Sequence, residues 1–342
     1  MKFSLFAHMQ RVDNPDIPAE TLYEQFISLC KAADDGGMHA VWSGEHHVMN
    51  FTIAPNPFMT VVDLASRTRN VRLGTGTVVA PFWHPIKLAG EAAMADLITG
   101  GRLEVGIARG AYVYEYERLM PGMDAYQAGQ RMREIVPAVQ KLWAGDYAHD
   151  GEFYSFPTSV STPRPSRPPP MWIAARDAAS HDFAVGGGCH VQVTPLWQGD
   201  DEVKTLVGRF DDACEKHNTR PRIMLLQHTY VGKTDEEVEA ATNALAKFYC
   251  YFGAWFKNAR PVTNGMMAPL SADDMAAMAP YAPAEIRKNL VIGKPAEVIS
   301  RLRQYEDWGY DEYAFWIDSG MDYEQQYASL SRFIDEVMPA FS

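Results

Sequence analysis

Residues 71–112 read VRLGTGTVVAPFWHPIKLAGEAAMADLITGGRLEVGIARGAY. Val71 to Ala80 is an apolar, β-branched run with strand character. A helix follows from about Pro85 to Ile98, where proline suits the first helical position. Gly100 and Gly101 stop it, and Arg102 to Ala108 is a second strand. Strand, helix, glycine stop, strand is the signature of a βαβ unit.

The alternation extends in both directions. Upstream, Lys2 to His8 reads as a strand, and Leu22, Phe26, Leu29, Cys30 and Ala33 share one helical face ending at Gly36–Gly37. His39 to Ser43 is the next strand, and Pro57 opens a helix with Phe58, Val61, Val62 and Ala65 inward. Downstream, residues 112–165 hold a helical stretch and a hairpin pattern in DYAHDGEFYSF. Five prolines between Pro163 and Pro170 then make a stiff extended connector. Met171 to Ala175, His190 to Thr194 and Ile223 to Val231 are further strands. From about Lys257 to Arg287 the pattern dissolves into a Met-, Ala- and Pro-rich stretch, expected to be a mobile excursion over one face. A helix with Val298, Ile299, Leu302 and Tyr305 inward, the strand Glu312 to Ile317, and a helix marked by Tyr327, Leu330, Ile334 and Val337 complete the chain.

About eight strands, each separated from the next by a helix, predict an α/β fold: one (β/α)₈ TIM barrel domain over residues 1–342 with insertions, including a lid-like segment after the seventh strand. A doubly wound sheet is the alternative, but the first strand–helix turn, His8 to Asn14, has no GxGxxG.

Lys plus Arg number 31 against 43 Asp plus Glu, a net charge of −12 that makes nucleic acid and anionic membranes poor partners. The four cysteines lack CxxC spacing, and no apolar stretch is long enough for a membrane helix or a signal peptide. The expected location is the cytoplasm.

In a barrel, chemistry gathers at the C-terminal ends of the strands. Those ends offer His8 and Gln10, then Glu45, His46 and His47, then Thr75, Gly76 and Thr77, then Arg109 and Gly110, then Arg176 and Asp177. Three adjacent residues leaving a strand project in different directions, so Glu45-His46-His47 is a poor metal site and no metal is expected. One histidine at the mouth is a natural general acid or base. Arg109, among small neighbours, suits a phosphate clamp, and Arg176-Asp177-Ala178-Ala179-Ser180 reads as a strand end and N-capped helix start that suits an anion. Glycines inside Gly74-Thr75-Gly76-Thr77 mark a bulge or the close approach of a flat ligand. Aromatics near strand ends, Phe6, Phe82, Trp83, Tyr112, Trp197 and Trp316, are candidates to wall the pocket, with His8, Trp83, Tyr112 and Trp197 placed against substrate.

Taken together, WSGEHH (Trp42–His47), APNPF (Ala54–Phe58), VRLGTGTVVAPFWHP (Val71–Pro85), GRLEVGIARGAY (Gly101–Tyr112), PPPMWIAARDAAS (Pro168–Ser180) and IGKPAEVISRL (Ile292–Leu302) resemble the bacterial luciferase-like family of flavin-dependent monooxygenases, and most closely its catalytic luciferase subunit. The resemblance implies a barrel that takes reduced FMN (FMNH₂) from a separate flavin reductase. With O₂ it forms a C4a-hydroperoxyflavin that oxygenates an organic substrate, and the aromatic mouth points to one that is small and mainly apolar or planar. It implies His46 as the catalytic histidine with Glu45 beside it, and Gly76–Thr77 against the flavin ring through a peptide that is often cis. Arg109 is implied on the phosphate, with Arg176, Asp177 and Ser180 in the phosphate loop, and a homodimer as the assembly. Ala108 stands where luciferase subunits often carry a reactive cysteine, and Arg176 and Asp177 replace the Glu and Ser common in that loop. An F420-dependent dehydrogenase of the same superfamily and a non-catalytic flavin-binding protein are the rival readings.

Overall fold

The computed structural model describes residues 1–11, 14 and 16–341. Residues 12 and 13 of the first strand–helix turn lie outside the described residues. In chain order the elements are β1 (Lys2–Phe6), α1 (Ala19–Asp35), β2 (Ala40–Ser43), α2 (Pro57–Arg67), β3 (Arg72–Val79), α3 (Pro85–Ile98) and β4 (Leu103–Ala108). Then come α4 (Val113–Leu119), α5 (Ala125–Ala144), the hairpin β5 (Tyr147–Asp150) and β6 (Ser155–Ser159), β7 (Met171–Ala174), α6 (Ala178–Gly186), β8 (His190–Val193), α7 (Asp200–His217) and β9 (Ile223–Val231). The remainder is α8 (Asp235–Lys257), the small hairpin β10 (Val262–Thr263) and β11 (Met266–Met267), α9 (Ala272–Ala277), α10 (Pro283–Asn289), β12 (Val291–Gly293), α11 (Pro295–Asp307), β13 (Glu312–Trp316) and α12 (Tyr323–Arg332).

Eight parallel strands pair in the order β1-β2-β3-β4-β7-β8-β9-β13, and β13 pairs back to β1, which closes the barrel. These are the eight runs anticipated from the sequence. The short β12 adds outside the ring, alongside β9. Side chains alternate across each strand. Phe6, Trp42, Trp172, Met224, Ala314 and Trp316 fall in the cluster that fills the barrel, whereas Phe3, Leu5, Val41, Leu73 and Val105 pack against the outer helices.

Local chemistry explains where helices begin. The Asn56 side chain accepts from the backbone N–H groups of Phe58 and Met59, and His84 caps α3 through Ile86 N–H, with proline opening both helices. Gly100 and Gly101 both adopt positive φ, 68° and 78°, as a glycine stop requires. Gly74 has a different reason from the one its neighbours suggested. A Cβ there would sit 2.0 Å from Trp42 Cε3, so Gly74 makes room for a core ring and not for a ligand.

At the N-terminal end of the barrel the buried Glu104 accepts from the Trp172 indole at 2.6 Å, and Arg222 lies 3.4 Å from both its oxygens. This charged plug leaves the C-terminal end as the open one.

Residues 258–290 differ from their expected patternless character. The β10–β11 hairpin and α10 are packed on α8, α9 packs on the turn Ala279–Tyr281 and is tied to α8 by the Lys257–Asp274 ion pair, and Tyr281 is buried against Trp197 and Tyr249. Ser271 and Asp274 cap each other reciprocally, a local start signal within a stretch otherwise poor in periodicity. In the last helix Leu330 and Val337 are buried, but Tyr327 is 38% exposed, because the buried stripe of α12 runs through Ser329 and Leu330 and leaves Tyr327 at its edge.

Candidate active site

The C-terminal ends of the strands open into a cavity of about 730 Å³. His8, Glu45, His46, Gly76, Thr77, Arg109, Tyr112, Arg176, Asp177 and Ser180 all line it. Strand ends from β1, β2, β3, β4 and β7 therefore converge as the barrel predicted.

One end is built on residues 44–47. Gly44 approaches β3 so closely that a Cβ would lie 2.9 Å from Gly76 O and 2.7 Å from His8 Cε1. Glu45, 2% exposed, accepts from Val79 N–H at 2.7 Å, from the Trp83 indole at 2.9 and 3.0 Å, and from His47 Nε2 at 2.7 Å. Every lone pair in reach has a partner, so Glu45 ties β2 to β3. The hydrogen bond that His47 donates to Glu45 raises the His47 pKa, and the ring lies edge-on to Phe82 at 5.5 Å. His46 turns the other way: Nδ1 is 3.4 Å from Glu115 Oε2, and the ring lies 5.3 Å from Tyr112 and 5.7 Å from His8. Glu115, 1% exposed on α4, also accepts the His47 backbone N–H at 2.6 Å. The three adjacent side chains thus diverge. His8 is pushed well below the ordinary histidine range by burial, and by His46 and His228 nearby.

An aromatic wall adjoins this end. Phe6, Tyr112, Phe252, Phe256 and Trp316 line the cavity, the third and fourth from the C-terminal half of α8. No residue of 258–290 does so, which moves the expected cover from that segment to α8 itself. Trp316 donates its indole N–H to Asp318 Oδ2 at 3.1 Å and stacks on His228 at 3.7 Å.

The opposite end is basic. Arg109, Arg133, Arg176 and Arg209 line it, against Asp177 and Glu202. Asp177 caps α6 by accepting Ser180 N–H at 2.8 Å, and Ser180 Oγ accepts Arg176 N–H at 3.0 Å. Arg176 reaches Gln198 at 2.7 Å and Glu202 at 3.5 Å, while Arg109 makes a long 3.4 Å bond to Ala125 O and lies beside the Tyr116 hydroxyl. Arg133 lies 5.5 Å over the Phe183 ring and makes no hydrogen bond or ion pair among the described residues. In a chain of net charge −12, four arginines at one cavity end focus a local field for anions. Gln192, 7% exposed, also lines the cavity, with its Nε2 buried and without a partner among the described residues. The Gly76–Thr77 peptide is cis, and β3 shifts register between Thr75 and Val78.

Three expected pocket residues lie elsewhere. Trp83 does not line the cavity: it packs on Phe58 and spends its indole N–H on the buried Glu45, which holds it behind the site. Trp197 also stands outside, wedged against Tyr249 and Tyr281, and Phe82 packs on His47 and Tyr116. Sequence reading missed Glu115, Arg133, Gln192, Arg209, Phe252, Phe256 and Asp318. Most of these sit on helices or inside strands, where the periodicity signals only packing; the run Phe248–Phe256 on α8 is the one cue, its aromatics being denser than a helix face needs.

Comparison with known proteins agrees with this architecture. The model of the luciferase-like monooxygenase family matches residues 1–312. The oxygenase component of flavin-dependent trigonelline monooxygenase from Acinetobacter baylyi is 60% identical, over 100% of this chain and 96% of that protein. The monooxygenase RslO1 from Streptomyces bottropensis superposes with a TM-score of 0.83 at 26% identity, covering 100% of both chains. The oxygenating constituent of 3,6-diketocamphane monooxygenase from Pseudomonas putida, solved with FMN, shares the fold at a TM-score of 0.78 and 19% identity, over 99% of this chain and 98% of that one. With the barrel closed and the family match running through every strand end but the last, the chain belongs to the luciferase-like monooxygenases and is a flavin-dependent enzyme.

Proposed function

We propose that the chain is the oxygenase component of a two-component system that takes FMNH₂ from a separate reductase and uses O₂ to oxygenate trigonelline or a closely related planar pyridinium carboxylate. The observation that carries the reading is the two-ended cavity, basic at one end and aromatic with a histidine at the other. The relative at 60% identity supplies the substrate class.

The residues fit FMN. Arg109, Arg133 and Arg176 would hold the phosphate with charge-assisted bonds, and Arg133 has its donors free among the described residues. Because Ser180 N–H is already taken by Asp177, the arginines and not the α6 terminus would carry most of that binding. The buried Nε2 of Gln192 is a donor in want of an acceptor, such as the polar edge of an isoalloxazine. Gly76 and Thr77 present backbone at the cavity wall where that ring would lie.

Bound FMNH₂ supplies the two electrons by which one oxygen atom of O₂ enters the substrate and the other leaves as water. His46 would hold or deliver the proton at the reacting end through Nε2, its Nδ1 being turned to Glu115. Glu45 keeps its place as a positioning group, since it braces His47 and the β3 backbone. Tyr112, Phe252 and Phe256 exclude water, which protects an oxygen-reactive site from wasteful hydrolysis and peroxide release.

The test is incubation with photoreduced FMN, ¹⁸O₂ and trigonelline, followed by mass spectrometry. One ¹⁸O atom in the organic product is the expected result. Peroxide without labelled product would remove the substrate assignment, and failure to bind FMNH₂ would remove the cofactor.

A further inference from the structure

Resting on that substrate reading, we propose that Trp316, with Phe252, Phe256 and Tyr112, forms a cage selective for a positively charged ring, so that the site sorts substrates by ring charge as well as by shape.

All four rings line the cavity. Trp is the best of the aromatic faces for a cation, and Trp316 is fixed in place from several sides. His228 stacks on it at 3.7 Å with an interplanar angle of 18°, Phe252 meets it edge-on at 5.8 Å, and Asp318 Oδ2 accepts its N–H at 3.1 Å. Donation of the indole N–H to a carboxylate shifts electron density into the ring and strengthens its negative face. His228 adds no competing positive charge, because burial lowers it to about 3.

The surroundings have the sign that a cation requires. Glu45, Glu115 and Asp318, each no more than 5% exposed, stand behind this end of the cavity. Their hydrogen bonds come from backbone, indole and imidazole N–H groups. Among the described residues no lysine or arginine is paired with any of the three, while the four cavity arginines gather at the opposite end. Glu45 has His47 as a partner that can carry charge and Glu115 has His46 at 3.4 Å, but Asp318, once ionised above about pH 7, is met by N–H donors alone. Buried negative charge of this kind acts strongly at short range in a medium of low dielectric, and a ring carrying a fixed positive charge supplies a counterion that a neutral ring of the same outline does not.

Trigonelline and 3-methylbenzoate separate the two effects, since both carry a carboxylate and a meta methyl group on a six-membered ring and differ in ring charge. Isothermal titration of each into the full chain, with oxidised FMN present and at pH 8, gives a selectivity ratio of dissociation constants. We expect trigonelline to bind roughly tenfold or more tightly. The ratio should fall about 3- to 10-fold in Trp316→Leu and in the milder Phe256→Leu, within the range of a cation–π contact. 3-Methylbenzoate reports the apolar contact that both ligands lose, so the ratio isolates ring charge, and melting curves of each variant report folding. Equal binding of the two ligands, or a ratio unmoved in the folded Phe256→Leu and Trp316→Leu proteins, overturns the cage and leaves the substrate reading standing. Binding of neither ligand to a protein that still binds FMN overturns the substrate reading and the cage with it.

Discussion

His46 Nδ1 lies 3.4 Å from the Oε2 of Glu115, a carboxylate that reaches the site from α4 and not from any strand. The same side chain accepts His47 N–H at 2.6 Å, so one buried group sets both the orientation of His46 and the path of the backbone that carries it. His46→Ala is expected to lower turnover roughly 10²- to 10⁴-fold, the usual worth of a positioned acid or base, with FMN affinity held within about threefold. Glu115→Gln keeps an acceptor for the backbone N–H and should give a smaller loss, about tenfold. Steady-state oxygenation beside an FMN titration checks both, and wild-type turnover in His46→Ala removes the histidine from the chemistry.

Arg109→Ala should weaken FMN far more than riboflavin. One charge-assisted contact is worth about 1.5–3 kcal/mol, or roughly 10- to 100-fold in Kd, and riboflavin has no phosphate to lose it. Arg133→Ala should show the same asymmetry, because its guanidinium borders the cavity without an ion pair among the described residues. Equal losses for the two flavins would place these arginines away from the phosphate.

Trp83→Phe tests a structural role against a role in the pocket. The substitution deprives Glu45 of its indole donor in a buried site, at a cost of about 1–3 kcal/mol, so the melting temperature should fall. Trigonelline KM should stay unchanged, since Trp83 does not border the cavity. A raised KM with unchanged stability would return Trp83 to the pocket.

Asp318 should make stability fall with pH. Burial pushes it up to about 7, against the pull of hydrogen bonds from His8 N–H and the Trp316 indole. An unfolded aspartate titrates near 3.9, so between about pH 4 and 7 the folded state binds the extra proton and loses stability as pH rises. Three pKa units correspond to about 4 kcal/mol as an upper bound. Asp318→Asn has no proton to lose, so the stability difference between variant and wild type should grow over pH 4–7 and then level off. Denaturant melts at pH 5 and 8 measure it, and a pH-independent difference would show that Asp318 titrates normally.

The strands and most helices were legible because one chemical rule governs each: alternation across a pleated strand, a repeat of 3.6 along a helix, and glycine or proline at the ends. Val71–Ala80 needed only its own residues to be read as a strand. So did the N-cap character of Asp177, which is decided within one turn of helix. Residues 258–290 were not legible, because their short elements are held by contact with α8, distant in kind from any local repeat.

What the amino-acid sequence determined by itself was the order of βα units, hence the barrel and the set of strand ends that meet at its mouth. Tertiary structure alone decided which way each of those residues faces. Trp83 and Trp316 are both tryptophans near strand ends, yet one braces Glu45 behind the wall and the other forms the wall. Glu115 and Asp318 are chemically ordinary in the sequence, and become distinctive only when burial strips water from them and N–H groups of neighbouring residues take its place; Gln192 becomes so because burial leaves its Nε2 without a partner among the described residues. Periodicity reports whether a side chain is turned inward; only closure of the barrel decides what it meets there.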